Sequence, residues 1–122
     1  MRIELVSKGP DGAGNWIDVR DTIKGGDIFA VHEASEVPLG EDGRPAAMSF
    51  QKLEDDQLIA LAQRVVTGWS FQVPLPGSAA QMKGVLSDLE AADLRKFRAE
   101  MKPLLDAVKN DEQPDPKTQP TS

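Results

Sequence analysis

The chain has 122 residues, a net charge of −6, 39% hydrophobic and 28% charged residues, and no cysteine. That length fits one small domain with a tail, and the acidic balance, with no Lys/Arg cluster, speaks against binding nucleic-acid phosphates. Without cysteine there are no disulfides, thiolate chemistry or cysteine metal sites. The longest continuous apolar run, LIALA at 58–62, is far short of the roughly 20 residues that span a bilayer, and Glu4 interrupts the start of a signal peptide. A cytoplasmic protein without membrane association is expected.

In chain order, RIELVS and WIDVR both alternate, with Ile3 and Leu5 in one and Trp16 (or Ile17) and Val19 in the other. The KGPDGAGN between them makes the pair a predicted β-hairpin over about 2–20 with a long loop. A lone hairpin is marginal in water, so it must dock on the helices or on another chain. GDIFAVHEASEV places Ile28, Phe29 and Val31 at spacings open to a short helix or to a further strand. PLGEDGRPAA predicts a flexible loop over about 36–48.

The second half is more regular. Phe50, Leu53, Leu58, Leu61, Ala62, Val65, Val66 and Trp69 mark an amphipathic helix over about 50–67, with Ser49 as its N-cap and Gly68 as its stop. GWSFQVPLPG follows. Trp69 continues the apolar face of that helix, and Val73 and Leu75, each before a proline, stiffen an extended connector. Phe71 and Leu75 are expected to pin against Trp69, and Trp69 to bury against the next long helix. AAQMKGVLSDL adds a helical turn or two.

A second long helix is predicted over about 88–108, with Ser87 and Glu90 at capping-box spacing and a seam of Leu94, Phe97, Met101, Leu104 and Val108. Pro103 should kink or split it. From Asn110 the chain reads NDEQPDPKTQPTS. It has no apolar side chain larger than proline, so 110–122 is predicted to be a disordered tail. The fold class expected is α+β, mainly α: an N-terminal hairpin packed on a small helical domain with two long helices, the domain spanning 1–109.

Chemistry is hard to find. His32 and Glu36 have i, i+4 spacing, but no third metal ligand follows at a recognisable distance. Asp55 and Asp56, adjacent on a helix, point apart and suit its first turns. KGPDGAGN lacks the Gly-Lys-Ser/Thr ending of a phosphate loop, and the serines lack a nucleophile-elbow context. No catalytic, cofactor-binding or metal-binding residue is assigned, and no enzyme is expected.

The order LIALAQRVVTGWSF, PLP, LSDLEAADLRKF, MKPLLDAV, over about 57–108, resembles tail assembly chaperones of long-tailed bacteriophages and prophages, particularly those of actinobacterial hosts. In that family an apolar helix ending in Trp, a proline-bearing loop and a leucine-rich helix follow one another. The resemblance implies a host-cytoplasmic assembly factor that binds the tape measure protein, shields its apolar helices and helps recruit major tail tube protein. Partner binding would then fall to Trp69, Phe71, Leu75, Leu94, Phe97, Met101 and Leu104. The helical seam is narrow, few other large apolar residues are at hand, and Met adapts to irregular surfaces. Two other readings stand beside it: a head–tail, neck or tail component retained in the virion, and a cellular protein-binding module. Homo-oligomerisation is left open.

Overall fold

The alternating pattern near the N-terminus becomes two strands, β1 (Arg2–Lys8) and β2 (Gly14–Val19). In the computed structural model, which describes residues 1–36, 40–44 and 50–110, they pair antiparallel with Ile3 opposite Ile17. Period-two alternation sends Ile3, Leu5, Ile17 and Val19 to one buried face. Ile17, not Trp16, is thus the inward residue. Trp16 lies on the outer face under the Arg2 guanidinium, 3.8 Å from the ring centroid. Arg2 also pairs with Asp18 at 2.7 Å, an exposed arrangement contributing about 0–1 kcal/mol. The loop closes through Gly9 N–H to the Ala13 carbonyl at 2.8 Å, with Gly12 at φ 82, the left-handed region that suits glycine.

After β2 the chain forms α1 (Gly25–Ala34), α2 (Phe50–Val65), β3 (Val66–Trp69), α3 (Ala79–Ser87) and α4 (Ala91–Lys109). The expected class holds: a mainly helical α+β fold with the hairpin packed on helices, two of them long. Three local readings are corrected.

The first is the end of α2. The helix stops at Val65, and the β-branched run Val66-Thr67 enters a third strand, giving the antiparallel order β1-β2-β3. Gly68 therefore pairs with Asp18 inside the sheet, and Trp69 pairs with Ile17. Trp69 does not prolong the helical stripe; it extends the Ile3–Ile17 row across the core face of the sheet. The second is the capping box. Ser87 is the last residue of α3, its hydroxyl donating to the Lys83 carbonyl at 2.7 Å, and Glu90 is the N-cap of α4. The side-chain cap belongs instead to Ser78, whose Oγ accepts from Gln81 N–H at 3.2 Å. The third is the split at Pro103: α4 runs unbroken through it from Ala91 to Lys109. The proline is on the solvent side, while Met101, Leu104, Leu105 and Val108 are buried around it and hold the helix in place.

The choice between helix and strand for GDIFAVHEA falls to the helix, α1 (Gly25–Ala34). Of the predicted loop, Gly40 to Arg44 form a tight turn closed by Gly40 N–H to the Arg44 carbonyl at 2.7 Å. Residues 37–39 and 45–49 and the predicted tail from 111 onward lie outside the described residues.

Two buried carboxylates tie the layers together. Asp93, in the first turn of α4, accepts from the backbone N–H groups of Val6 (2.7 Å) and Ser7 (2.9 Å) and from the Ser7 hydroxyl. These donors sit where β1 bulges: between Glu4 and Lys8 it takes four steps while β2 takes two. Burial pushes the Asp93 carboxyl up, but hydrogen bonds from Ser7 and Val6 outweigh it and the net shift is downward. Asp27, fully buried at the start of α1, receives Arg20 through two bonds (2.8 and 3.0 Å), Arg64 at 3.1 Å and Lys24 N–H at 2.8 Å. It joins the exit of β2, the start of α1 and the end of α2. Gly26 leaves room for this: a Cβ there would lie 2.2 Å from Arg64 Nη2.

Candidate functional site

The seven residues expected to bind a partner are dispersed by the fold. Phe97 and Met101 are fully buried and Leu104 nearly so, all within one cluster with the sheet residues and α2. The seam of α4 is narrow because one neighbouring layer consumes it. These three positions are therefore core, not surface.

Trp69 and Phe71 form a second group at the end of β3, and Leu75 follows them in the connector. The Trp69 and Phe71 rings pack at a centroid distance of 5.4 Å, tilted by 57°, and both are half-buried against the core. Trp69 Nε1 donates to the Val73 carbonyl at 2.9 Å, which curls the connector back over the indole. Val73 and Leu75 stay exposed at 49% and 44%. The pinning of Phe71 on Trp69 is present, but Trp69 is half-buried against the core and not largely buried as expected. Because the indole is only half-buried, Trp69→Ala should cost about 1–3 kcal/mol in chemical denaturation, less than a core Trp would. A loss above that range would mean the corner is packed more deeply than this.

Leu94 belongs to a third place. It is half-buried and lines an open groove of about 400 Å³ walled by α2, α3 and α4. The floor is apolar, from Leu58, Ile59, Leu86 and Leu94. Charged side chains form the rim, with Arg98 of α4 reaching Asp55 of α2 at 3.0 Å and Lys52 reaching Asp56 at 2.9 Å. A neighbouring hollow of about 240 Å³ shares Asp55, Leu58 and Arg98 and continues the groove to Lys102 and Lys109 near the end of α4. Ile59, Lys83 and Arg98 are not individually marked in the sequence, and Leu86 stands there only within the leucine-rich helix. Ile59 and Leu86 carried an ordinary apolar signal, but only the approach of three helices makes them neighbours.

The chemistry-bearing residues are placed as follows. Asp55 and Asp56 are engaged in ion pairs on the groove rim, with Gln51 also bonded to Asp55 at 2.9 Å. His32 is exposed on α1. Among the described residues no three His, Cys, Asp or Glu side chains are grouped to hold a metal. Polar residues of β1 and β2 and the residue after β3 bond to one another: Ser70 Oγ donates to Asn15 Oδ1 at 3.0 Å and Asn15 Nδ2 donates to Ser7 Oγ at 2.9 Å, ending on Asp93. This chain links β3, the hairpin and α4, which explains its residues structurally.

No helix among the described residues is long and apolar enough to cross a membrane. Comparison with protein-family models, with curated proteins and with solved structures finds no match to this chain.

Proposed function

We propose that this protein is a helix-binding assembly factor, and that its partner is an amphipathic segment of a phage tape measure protein, as in the tail assembly chaperones it resembles. The observation that carries the helix-binding reading is the groove between α2, α3 and α4, with its apolar floor and charged rim. A stripe of residues at i, i+3, i+4 and i+7 fits such a trough, and the rim excludes nonspecific apolar contacts. The phage assignment rests on the sequence order of the apolar LIALAQRVV run, Trp69, the PLP segment and the leucine-rich helix. Delivery of the segment to major tail tube protein, and release before the particle is complete, follow from the same resemblance.

The test is to look for a tape measure gene beside this one and to co-express its product with this chain. Wild-type chain should co-purify with it, and Leu94→Gln should reduce recovery severalfold with little change in melting, since Leu94 is only half-buried. The chain should be absent from purified virions. No tape measure gene nearby, or the chain found as a stoichiometric part of the particle, would end the chaperone reading; the latter would favour a retained head–tail or tail component.

A further inference from the structure

We propose that the groove selects an amphipathic helix whose apolar stripe is flanked by acidic side chains. This rests on the helix-binding reading above and adds the chemistry of the partner. The chain carries a net charge of −6, yet the groove and its continuation are lined by five cations and four carboxylates. Three of those carboxylates are already neutralised within the rim: Asp55 by Arg98, Asp56 by Lys52 and Asp106 by Lys102. The side-chain ammonium groups of Lys83 on α3 and Lys109 at the end of α4 form no hydrogen bond or ion pair with any described residue, and Glu54 is the one rim carboxylate likewise unengaged among the described residues.

An incoming acidic flank would therefore meet uncompensated ammonium groups at both ends of the trough. A basic flank would meet one unengaged carboxylate, Glu54, and three that already have partners. From Leu94 to Lys109, α4 rises about 22 Å, the length of a helix of about 15 residues, so both lysines come within reach of one docked segment. Repulsion from the acidic remainder of the surface fades beyond roughly 8–10 Å at physiological salt, so the local rim decides.

The experiment uses the full chain and two labelled amphipathic peptides of about 18 residues, with identical leucine stripes, one flanked by Glu and the other by Lys. Fluorescence anisotropy is read at about 50 and about 300 mM salt. The Glu-flanked peptide should bind about tenfold more tightly, the sum of two exposed ion pairs and the avoided repulsion, and the ratio should shrink at the higher salt. Lys83→Glu combined with Lys109→Glu should abolish or invert the preference, and Leu94→Gln should weaken both peptides alike. If Leu94→Gln proves unfolded by circular dichroism, Ile59→Gln replaces it.

Equal affinity for the two peptides, with both lost in Leu94→Gln, would overturn the charge proposal and leave the helix groove standing. A Glu preference that survives the double lysine reversal would overturn it too. Failure of both peptides to bind, or binding indifferent to the floor substitutions, would overturn both readings. So would a dimer closed through this face that neither peptide dissociates.

Discussion

Phe97→Ala is expected to destabilise the protein by about 3–5 kcal/mol, the range for truncating a fully buried aromatic side chain. Phe97 is fully enclosed, and it stands in one cluster with Ile3, Ile17, Leu61 and Val65. Its loss leaves a cavity at the junction of helices and sheet, where relaxation is limited because strands and helices are both fixed there. In a domain of this size each kcal/mol lowers Tm by roughly 4–8 °C, so thermal melting should fall by more than about 12 °C. A polar replacement should be worse still and should abolish partner binding by unfolding the chain. If Phe97→Ala melts within a few degrees of wild type, the placement of α4 against the sheet is wrong, and the seam returns as a surface.

Asp27→Asn should cost about 3–5 kcal/mol at neutral pH, because it unbalances a buried carboxylate that Arg20 and Arg64 both require. The size of that loss should depend on acidity. Burial pushes the Asp27 carboxyl up, but hydrogen bonds from Arg20, Lys24 N–H and Arg64, with the Arg20 charge, outweigh it and hold the carboxyl at about 2 against an ordinary 3.8. A carboxyl lowered on folding stabilises the fold fully above its unfolded value and loses that contribution as pH falls through the folded one. About 2 kcal/mol should thus disappear between roughly pH 5 and pH 2. Asp93, also lowered, adds to the acid sensitivity of the wild type. Comparison with Asp27→Asn separates the two: in urea titrations the gap between wild type and variant should narrow steadily below about pH 4. A gap that stays constant down to pH 2.5 would show that Asp27 is not held ionised by its arginines.

The candidate site was legible in the sequence only in part. Leu94 was singled out and lines the groove; Trp69 and Phe71 were expected to pack together, and they do, whereas Leu75 stays exposed. Phe97, Met101 and Leu104 were grouped with them because a 3-4 seam reads the same whether it faces a partner or a sheet. Nothing in their spacing distinguishes the two. Lys83 and Lys109 carried no signal at all, since a lysine on an amphipathic helix is ordinary until its neighbours turn out to be already paired.

What the sequence determined by itself is local periodicity. Alternation in a hairpin over about 2–20, helical stripes over about 50–67 and 88–108, and the Gly-rich loop between the strands each follow from which residues recur at which step. Mainly helical α+β architecture follows from their order. The tertiary structure alone decided where α2 yields to β3. VVTGW satisfies a helical stripe and a strand almost equally, and the free edge of β2 tips the balance by pairing with Val66, Gly68 and Trp69. It also decided which carboxylates are buried, because Asp27 and Asp93 acquire their donors from residues as far as 37 and 87 positions away. Propensity acts over a few neighbours, whereas strand partners, buried charges and grooves depend on segments that meet only once the chain has closed on itself.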